Sequence, residues 1–260
     1  MEKKVAIITG ATSGIGKATL NFLKGKGYTV YNISRRADDD EYSYSADVND
    51  YKRIGEVFED IYKKEGQIDA LINNAGFGIA GAVENANLDN INKLFATNLS
   101  SLVALSSMAI PYLKKTKGRI INISSVAGVI PLPFQACYSA AKAGVINFSK
   151  SLNMEVKPFG VRVTTVLPGD TKTNFTSARV IDKSDDGSYS SRDLKSIEKM
   201  AKDEQKGKDP ITVAKVIYKV LKKKHPPTQK TVGFGYKTIV FLAKHLPEGL
   251  VNWIVKIIYG

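Results

Sequence analysis

The sequence is short of the residues that build disulfides, metal centres and membrane spans. Its single cysteine, Cys137, cannot form a disulfide within the chain, which fits a reducing compartment, and we expect it to be a small buried apolar residue. Its two histidines, His225 and His245, lie in no cluster with metal-ligand spacing. No apolar run approaches the roughly 18 residues of a membrane-spanning helix, and the run at residues 5–8 is too short for a signal peptide. These shortages favour a cytoplasmic protein without a metal.

Acidic residues are too few to balance the basic ones. The chain has 38 Lys and Arg against 25 Asp and Glu, a formal net charge of +13. The basic residues are spread along the chain, with one local run at residues 222–224, and no zinc-ligand set, RNA-binding aromatic signature or heptad repeat accompanies them. A solvated lysine-rich surface is therefore expected rather than a nucleic-acid site, while an anionic ligand or membrane face stays open.

The composition suits one large α/β domain, because 43% of the 260 residues are hydrophobic and 24% are charged. Short apolar runs alternate with helical patterns from residue 5 to about 167, which predicts a doubly wound parallel sheet. The predicted strands are residues 5–8, 28–34, 42–46, 68–72, 118–125 and 161–167, with a last short strand at 231–233. The predicted helices are residues 17–24, 51–64, 88–115, 136–157 and 210–224.

A glycine-rich turn joins the first predicted strand to the first helix. Glycine permits a tight turn and close approach of the backbone to a ligand, and the helix N-terminus offers free N–H groups to a pyrophosphate. The spacing is Gly-x-x-x-Gly-x-Gly rather than the common Gly-x-Gly-x-x-Gly. The turn therefore predicts dinucleotide binding, or else only a strand–helix connection. Its candidate residues are Gly10, Thr12, Ser13, Gly14, Ile15 and Gly16.

Two arginines follow the second predicted strand. In such folds an acid at this place binds a ribose 2′-hydroxyl, and an arginine suits a 2′-phosphate. Ser34 stands where the acid would be, and the guanidiniums of Arg35 and Arg36 can grip a phosphate through several N–H groups. We therefore expect NADP(H) rather than NAD(H), the alternative being a solvated pair of loop charges.

Tyr138 and Lys142 lie four positions apart and so share one face of a predicted helix. A free tyrosine holds its proton up to about pH 10, and a nearby ammonium lowers that pKa. A tyrosine tuned in this way can exchange a proton with a substrate oxygen. The plainer alternative is an aromatic ring packed on a lysine stem. Asn98, a polar residue in an apolar helix, is either structural or part of a site.

Small and polar residues follow two further predicted strands. Asn74, Ala75 and Gly76 come after the strand that ends at residue 72, and Ser124 and Ser125 end the strand at residues 118–125. In open α/β sheets, ligands bind at the carboxyl ends of the strands. These residues are therefore candidates for one shared site.

The last third of the chain is less regular. Residues 170–209 are polar, include an expected mobile loop at 182–188 and follow a strand, so they are a candidate lid over a site. Residues 236–260 form an apolar tail, predicted as two helical stretches split at 247–249. This tail could pack on the domain or on a second subunit, form an apolar wall of a substrate pocket, or lie on a membrane face.

Together the motifs resemble those of the classical short-chain dehydrogenases/reductases over roughly residues 3–235. The separation of Ser125 and Tyr138 is the one that family shows, which favours Ser125 over Ser124. The other shared elements are Thr9-Gly10-x-x-x-Gly14-Ile15-Gly16, Asn73-Asn74-Ala75-Gly76, Asn98, Lys142, Pro168-Gly169 and Thr173. The resemblance implies a single Rossmann-fold domain over residues 1–235, including the lid, with residues 236–260 as a C-terminal helical tail.

The resemblance also implies a reversible ketone or aldehyde reductase with Tyr138 as general acid/base. Lys142 would lower the Tyr138 pKa and hold the nicotinamide ribose, Ser125 would bond the substrate oxygen, and Asn98 would hold a water in a proton relay. The implied cofactor contacts outside the glycine turn are Arg35, Arg36, Asp47, Val48, Asn74, Ala75, Gly76, Tyr138, Lys142, Pro168, Gly169, Thr171 and Thr173. Asp170-Thr171 departs from the family, which more often has an apolar residue there.

The implied partners are a small carbonyl or alcohol substrate and further copies of the chain, as a dimer or tetramer. The apolar tail near the lid suggests a hydrophobic carbonyl, such as a lipid or steroid-like ketone. The alternatives are a non-catalytic NADP-binding regulator, which would not need all four of Asn98, Ser125, Tyr138 and Lys142, and a protein peripheral to a membrane.

Overall fold

The structure is a computed structural model that describes residues 3–36, 38, 40–182, 189 and 191–260. Its strands are β1 (Lys4–Thr9), β2 (Tyr28–Ser34), β3 (Ser43–Ser45), β4 (Ala70–Asn73), β5 (Ile79–Gly81), β6 (Arg119–Ile123), β7 (Arg162–Leu167), β8 (Val180–Asp182) and β9 (Gln229–Thr231). Seven of them form a parallel sheet in the order β3-β2-β1-β4-β6-β7-β9. The doubly wound α/β fold is thereby confirmed.

Helices cover both faces of this sheet. They are α1 (Gly14–Lys24), α2 (Tyr51–Glu65), α3 (Leu88–Phe95), α4 (Ser101–Thr116), α5 (Ala136–Val156), α6 (Arg192–Gln205), α7 (Ile211–Leu221), α8 (Phe234–His245) and α9 (Glu248–Tyr259). Val5 and Ile7 of β1 pack in the core that includes α2, α4 and α5, while Ala6 and Ile8 pack in the core that includes α1 and α7. A strand buried on both faces has no polar alternation, which is why β1 reads as a continuous apolar run.

The strand order reverses direction at β1, whose neighbours are β2 on one side and β4 on the other. In open parallel sheets, ligands bind in the crevice outside the carboxyl ends of the strands at such a point. The residues that follow β1 and β4 are the glycine-rich turn and Asn74-Ala75-Gly76. The topology therefore brings two of the predicted motifs to one crevice.

The long apolar helix predicted at residues 88–115 is interrupted. The π-helical turn Ala96–Ser100 separates α3 from α4. By length and composition the run Leu88–Thr116 could cross a membrane, so the expectation that no segment approaches this length was wrong on that criterion. Its buried residues include Leu105, Ala109 and Leu113, which pack against α2 and the sheet as a core helix does.

Residues 170–209 are more regular than expected. Val180–Asp182 forms β8, which pairs in parallel with β5, and Arg192–Gln205 forms the 14-residue helix α6. The sequence pattern missed β5 and β8 because three-residue strands show no periodicity. The loop expected at residues 182–188 lies outside the described residues, apart from Asp182.

The tail forms two helices, as expected, and tyrosines hold them to the domain. The Tyr236 hydroxyl of α8 donates to a carboxylate oxygen of Asp170, and the Tyr259 hydroxyl of α9 donates to Asp203 Oδ2 at 3.1 Å. Val240 is the buried residue of α8. Cys137 is half-buried rather than fully buried as expected.

Candidate active site

The turn between β1 and α1 needs its three glycines. Gly10 and Gly14 adopt φ angles of +69° and +53°, a region that side-chain-bearing residues rarely adopt. At Gly16, an added Cβ would lie 2.3 Å from the Gly10 carbonyl oxygen and 2.6 Å from Asn74 Nδ2. The glycine spacing therefore reflects both backbone conformation and close packing.

Hydrogen bonds lock this turn to the end of β4. Asn74 donates its Nδ2 to the carbonyls of Thr9 and Gly10, each at 3.0 Å. The Thr9 hydroxyl oxygen accepts from the N–H groups of Asn74 and Ala75, also at 3.0 Å. The resemblance placed Asn74 beside the adenosine ribose, whereas here its amide nitrogen joins two strand ends. Ala75 packs directly against Gly10, since an added Cβ at Gly10 would lie 3.0 Å from the Ala75 Cα.

The end of α1 fits the pyrophosphate of a dinucleotide. Ser13 is the N-cap residue, but its side chain makes no capping hydrogen bond, and the first turn of α1 carries no acidic residue. The first-turn N–H groups are therefore not taken up by a capping side chain, and no nearby carboxylate in that turn repels an anion. Thr173 packs against Gly14, 3.3 Å from where a Cβ would stand. Thr12 and Ser13 remain partly or fully exposed beside it.

The end of β2 presents free positive charge. Ser34 is buried and donates to Asn32 Oδ1 at 2.7 Å, and this oxygen also accepts the Ala11 N–H at 3.0 Å. Ser34 therefore supports the turn instead of facing a ligand. Arg35 and Arg36 are exposed, and neither guanidinium pairs with a carboxylate in the part of the chain that the structure describes.

The residues expected near the adenine differ in exposure. Asp47 is exposed and accepts the Asn49 N–H at 2.9 Å, while Val48 is buried in the core. The backbone of Ala46 donates to Ser34 at 3.1 Å, which places this loop beside the end of β2. The position fits the expected adenine side of the crevice, and the individual contacts stay a prediction.

Tyr138 lies in the first turn of α5 and meets Ser125. The Ser125 side chain is within hydrogen-bonding reach of the Tyr138 hydroxyl. Its oxygen also accepts the Ala127 N–H at 3.1 Å. Ser124 is buried and donates to the Lys142 carbonyl at 2.7 Å, so its hydroxyl is already used within the fold. Ser125 is therefore the serine available to Tyr138, and its role in a site stays a prediction.

Lys142 is buried one helical turn from Tyr138. Its Nζ lies 5.7 Å from the centroid of the Tyr138 ring and donates to the Ile123 carbonyl at 3.0 Å. Burial lowers the pKa of Lys142 to about 8, from an ordinary value of 10.5. Gly76 lies next to this amine, because an added Cβ at Gly76 would stand 3.6 Å from the Lys142 Nζ and 2.9 Å from Asn98 Oδ1. Gly76, Asn98 and Lys142 are therefore contiguous.

Asn98 uses its amide to fix the loop that follows β4. Its Oδ1 accepts the Phe77 N–H at 3.0 Å, and its Nδ2 donates to the Phe77 carbonyl at 2.8 Å. The π-helical turn is the local distortion that holds this side chain, and such turns are frequent at functional sites. Asn98 is thus structural in this geometry, and its implied part in a proton relay stays a prediction.

The Tyr138 pKa differs from the expectation. Burial raises the pKa of Tyr138 to about 12, and the nearby Ser125 hydroxyl opposes that rise only in part. The Lys142 amine points at the Ile123 carbonyl and does not lower this pKa in the present arrangement. Tyr138 therefore holds its proton at neutral pH, which is the form that can donate to a carbonyl oxygen.

The segment after β7 closes the site from the other side. The Pro168 carbonyl accepts the Val126 N–H at 3.0 Å, which ties the end of β7 to the turn that carries Ser125. Gly169 lies under a tyrosine ring of α8, and the Thr171 hydroxyl donates to the Gly169 carbonyl at 2.9 Å. In this geometry Pro168, Gly169 and Thr171 support the loop that places Thr173 at the glycine turn.

Sequence reasoning missed three residues beside Tyr138. The ring of Phe175 lies 5.7 Å from the ring of Tyr138, centroid to centroid. Arg179 is buried, pairs with Glu204 and contributes with it to the electrostatic field at Tyr138. The Arg179 Nε is buried without a hydrogen-bond partner. No periodic signal could have found them, because these contacts join segments that are distant from Tyr138 along the chain.

The fold and the site define a class, the dinucleotide-binding oxidoreductases built on a parallel sheet. The sequence profile described as short chain dehydrogenase matches residues 4–184. The chain therefore belongs to the short-chain dehydrogenase/reductase family, whose members act on C=O and CH–OH groups.

Similar proteins cover the whole chain. A 3-ketodihydrosphingosine reductase from Bacteroides thetaiotaomicron is 34% identical over 267 residues, which span 100% of this chain and 99% of that protein. The crystal structure of a short-chain dehydrogenase from Streptomyces avermitilis has a TM-score of 0.85 and 28% identity, over 98% of this chain and 96% of that one. The structure of ElxO with NADP bound has a TM-score of 0.74 and 26% identity, over 91% of this chain and 99% of that one.

Proposed function

We propose that this protein is an NADP(H)-dependent reductase of an apolar ketone or aldehyde, working reversibly as an alcohol dehydrogenase. The observation that carries the proposal is the meeting of Ser125, Tyr138 and Lys142 at the carboxyl end of β6. Lys142 also adjoins Gly76, in the loop that is locked to the glycine turn. Proton-donating groups and the expected dinucleotide cradle are thus neighbours.

Each residue has a task that follows from its environment. The nicotinamide supplies hydride to a carbonyl carbon when bound. Ser125 and Tyr138 place two hydroxyl donors where negative charge develops on the carbonyl oxygen. Tyr138, whose raised pKa keeps it protonated, also gives that oxygen its proton. Lys142, with a pKa of about 8, is largely cationic at pH 7 and so can hold a ribose hydroxyl.

NADP(H) is the proposed cofactor because of Arg35 and Arg36. Both guanidiniums are exposed at the end of β2 beside the glycine turn, without a carboxylate partner among the described residues. A 2′-phosphate carries the charge that such a pair recognises. ElxO, a similar protein by fold and sequence, binds NADP in its solved structure.

An apolar substrate is proposed from the surroundings of Tyr138. Its ring packs in a cluster with Ile79, Leu94 and Ala127, and the partly buried Phe175 and Val180 border the same cluster. The alkyl chain of a long-chain ketone could replace these apolar contacts with contacts of its own. A polar ketone would instead have to bury polar groups without hydrogen-bond partners. The similar protein from Bacteroides thetaiotaomicron is named for the reduction of 3-ketodihydrosphingosine, a keto compound.

We also propose that residues 1–235 form the catalytic unit and that the segment 170–209 covers it. Thr173 reaches the glycine turn, and Phe175 covers Tyr138, which is only 8% exposed. Substrate access therefore requires Phe175 to move, so this cover opens and closes during turnover.

A screen of carbonyl compounds with NADPH and with NADH tests the proposal. Long-chain 3-keto compounds are expected to consume NADPH faster than short-chain ketones of equal concentration, and NADPH is expected to exceed NADH in kcat/KM by at least tenfold. Tight NADPH binding without turnover on any carbonyl would instead support the alternative, a non-catalytic NADP-binding regulator. The cover that Phe175 forms over Tyr138 is the observation that favours that alternative.

A further inference from the structure

The tail exposes an unusual share of the large apolar side chains. Among the described residues, seventeen large hydrophobic side chains are exposed, and nine of them lie between residues 234 and 258. Monomeric soluble proteins rarely expose a contiguous apolar patch of this kind without a partner. We call these nine residues the tail surface: Phe234, Ile239, Phe241, Leu242, Leu250, Trp253, Ile254, Ile257 and Ile258.

The apolar stripe of α9 points away from the domain. Val251, Val255 and Tyr259, at spacings of four, are half-buried and mark the side that faces the protein. Leu250, Trp253, Ile254 and Ile257 stand at i, i+3, i+4 and i+7, and all are exposed. An amphipathic helix of a soluble domain normally turns that pattern inward. In α9 the apolar face instead points away from the domain.

The other tail helix repeats this arrangement. Tyr236 and Val240, one turn apart, face the domain. Phe234 and Phe241 are seven residues apart and share one exposed face of α8, and Phe234 is 82% exposed. The two helices thus present aromatic and aliphatic side chains outward, with Trp253 among them at 60% exposure. Tryptophan favours the boundary between lipid and water.

Lysines border the tail surface. Lys237 and Lys244 lie seven residues apart on the same side of α8. Burial, and then the like charges of Lys237, Lys223 and Lys219, lower the pKa of Lys230, so positive charge is concentrated near Lys230. Lys244 has Lys150 as a like-charged neighbour. A rotationally symmetric contact with a second copy would bring such lysines together, whereas an anionic partner would neutralise them.

We propose that α8 and α9 dock the protein on the anionic face of a lipid bilayer. The apolar stripe enters the headgroup and upper acyl region, and the bordering lysines contact anionic headgroups. A cavity of about 220 Å³ lies between α9 and the loop of Pro131 and Pro133, lined also by Arg192, Asn252, Val255, Lys256 and Gly260. The inference does not depend on the reaction assigned to Tyr138.

Trp253 makes the test direct, because it is the only tryptophan of the chain. The full-length protein is mixed with vesicles of phosphatidylcholine, or of equal parts phosphatidylcholine and phosphatidylglycerol, and its tryptophan emission and co-sedimentation are measured. We expect a blue shift and co-sedimentation with the anionic vesicles at low salt, weakened severalfold by high salt. Lipids brominated near the headgroup are expected to quench Trp253.

Variants identify the residues responsible. The triple variant Leu250→Gln, Ile254→Gln, Ile257→Gln keeps Trp253 and is expected to lose at least tenfold in vesicle affinity. The triple control Val83→Gln, Leu88→Gln, Met154→Gln, which changes three exposed apolar side chains outside the tail, should keep that affinity. Lys237→Gln with Lys244→Gln should weaken binding to anionic vesicles, whereas Lys52→Gln with Lys63→Gln on α2, which removes the same charge, should not. Circular dichroism checks that each variant is folded.

Three results would overturn the proposal. The first is no co-sedimentation and no quenching of the wild-type protein at low salt. The second is equal loss of binding in the matched control variants. The third is a blue shift that grows with protein concentration in the absence of vesicles and disappears in the triple variant, because a second copy would then be the occupant of the tail surface.

Discussion

Tyr138 and Lys142 show how burial sets the chemistry of single residues. Burial disfavours the charged form of each group, so the pKa of the phenol rises to about 12 and that of the amine falls to about 8. Each shift costs the fold stability whenever the residue must carry charge. The sequence indicated the pair and its spacing, but it could not reveal that burial would dominate the pKa of both groups.

Replacing Lys142 tests that cost. In the folded chain Lys142 loses its proton near pH 8, and in the unfolded chain near 10.5. Between these values the unfolded chain binds more protons, so the Lys142 contribution to stability rises with pH through that window and is least favourable below it. We therefore predict that the Tm of Lys142→Met minus that of wild type is larger at pH 7 than at pH 10, by about 5–10 °C.

Thermal unfolding of both proteins, without nucleotide, measures this difference at the two pH values. A Tm difference that is the same at both would show that Lys142 is not buried as a shifted amine. The catalytic rate of the variant is expected to fall at every pH, which separates the stabilising effect of the change from its effect on turnover.

Arg35 and Arg36 set the cofactor preference in this account. Changing both to alanine removes the guanidiniums proposed to bind the 2′-phosphate, so KM for NADPH is predicted to rise by about 10- to 100-fold while KM for NADH changes less than threefold. The matched control is Lys52→Ala with Arg53→Ala, which removes two exposed charges from α2. If KM rises equally for NADPH and NADH, the two arginines attract both dinucleotides by charge alone and do not recognise the 2′-phosphate.

At the scale of elements, backbone geometry explains what the sequence could and could not reveal. The main strands were predicted well because a strand buried on both faces is a continuous apolar run between glycines and polar residues. The sequence did not predict the π-helical turn at Ala96–Ser100 or the short strands β5 and β8. These elements are produced by contacts between distant segments. Likewise α6 reads as a polar stretch, although its buried Ile197 and Met200 pack it in place.

Two glycines in helical segments give opposite predictions. In Gly16→Ala the new Cβ would meet the Gly10 carbonyl oxygen at 2.3 Å, so the glycine turn must shift. We predict a loss of stability of about 1–3 kcal/mol and a loss of NADPH affinity of at least tenfold. Gly55, within α2, has no heavy atom within 4 Å of an added Cβ. Gly55→Ala should therefore gain about 0.5–1 kcal/mol and leave NADPH binding unchanged.

Urea unfolding and NADPH titration of both variants measure these effects. Normal NADPH binding by Gly16→Ala would mean that the glycine turn is not the cofactor cradle. A loss of stability in Gly55→Ala would mean that α2 packs more closely than the structure shows.

At the scale of the whole molecule, the chain combines a site at the carboxyl ends of the strands with a lysine-rich surface and an exposed apolar tail. The net charge of +13 gave no specific prediction, because it could belong equally to a solvated surface. On our proposal part of this charge acts through its position, since Lys237 and Lys244 lie on α8 beside its exposed apolar side chains. The apolar tail was recognised from sequence, but its outward face was not, because helical periodicity does not tell which side meets the domain.

The central claim is that Tyr138 gives its proton to a substrate carbonyl, and single-turnover reduction by Tyr138→Phe measures it most directly. The rate constant of NADPH oxidation with a saturating ketone is predicted to fall by about 100- to 10,000-fold, with the Kd for NADPH changed less than threefold. Tyr31→Phe, which removes a hydroxyl bonded to Glu65 elsewhere in the fold, should keep the wild-type rate. A Tyr138→Phe protein that reduces the ketone within tenfold of the wild-type rate would contradict the account.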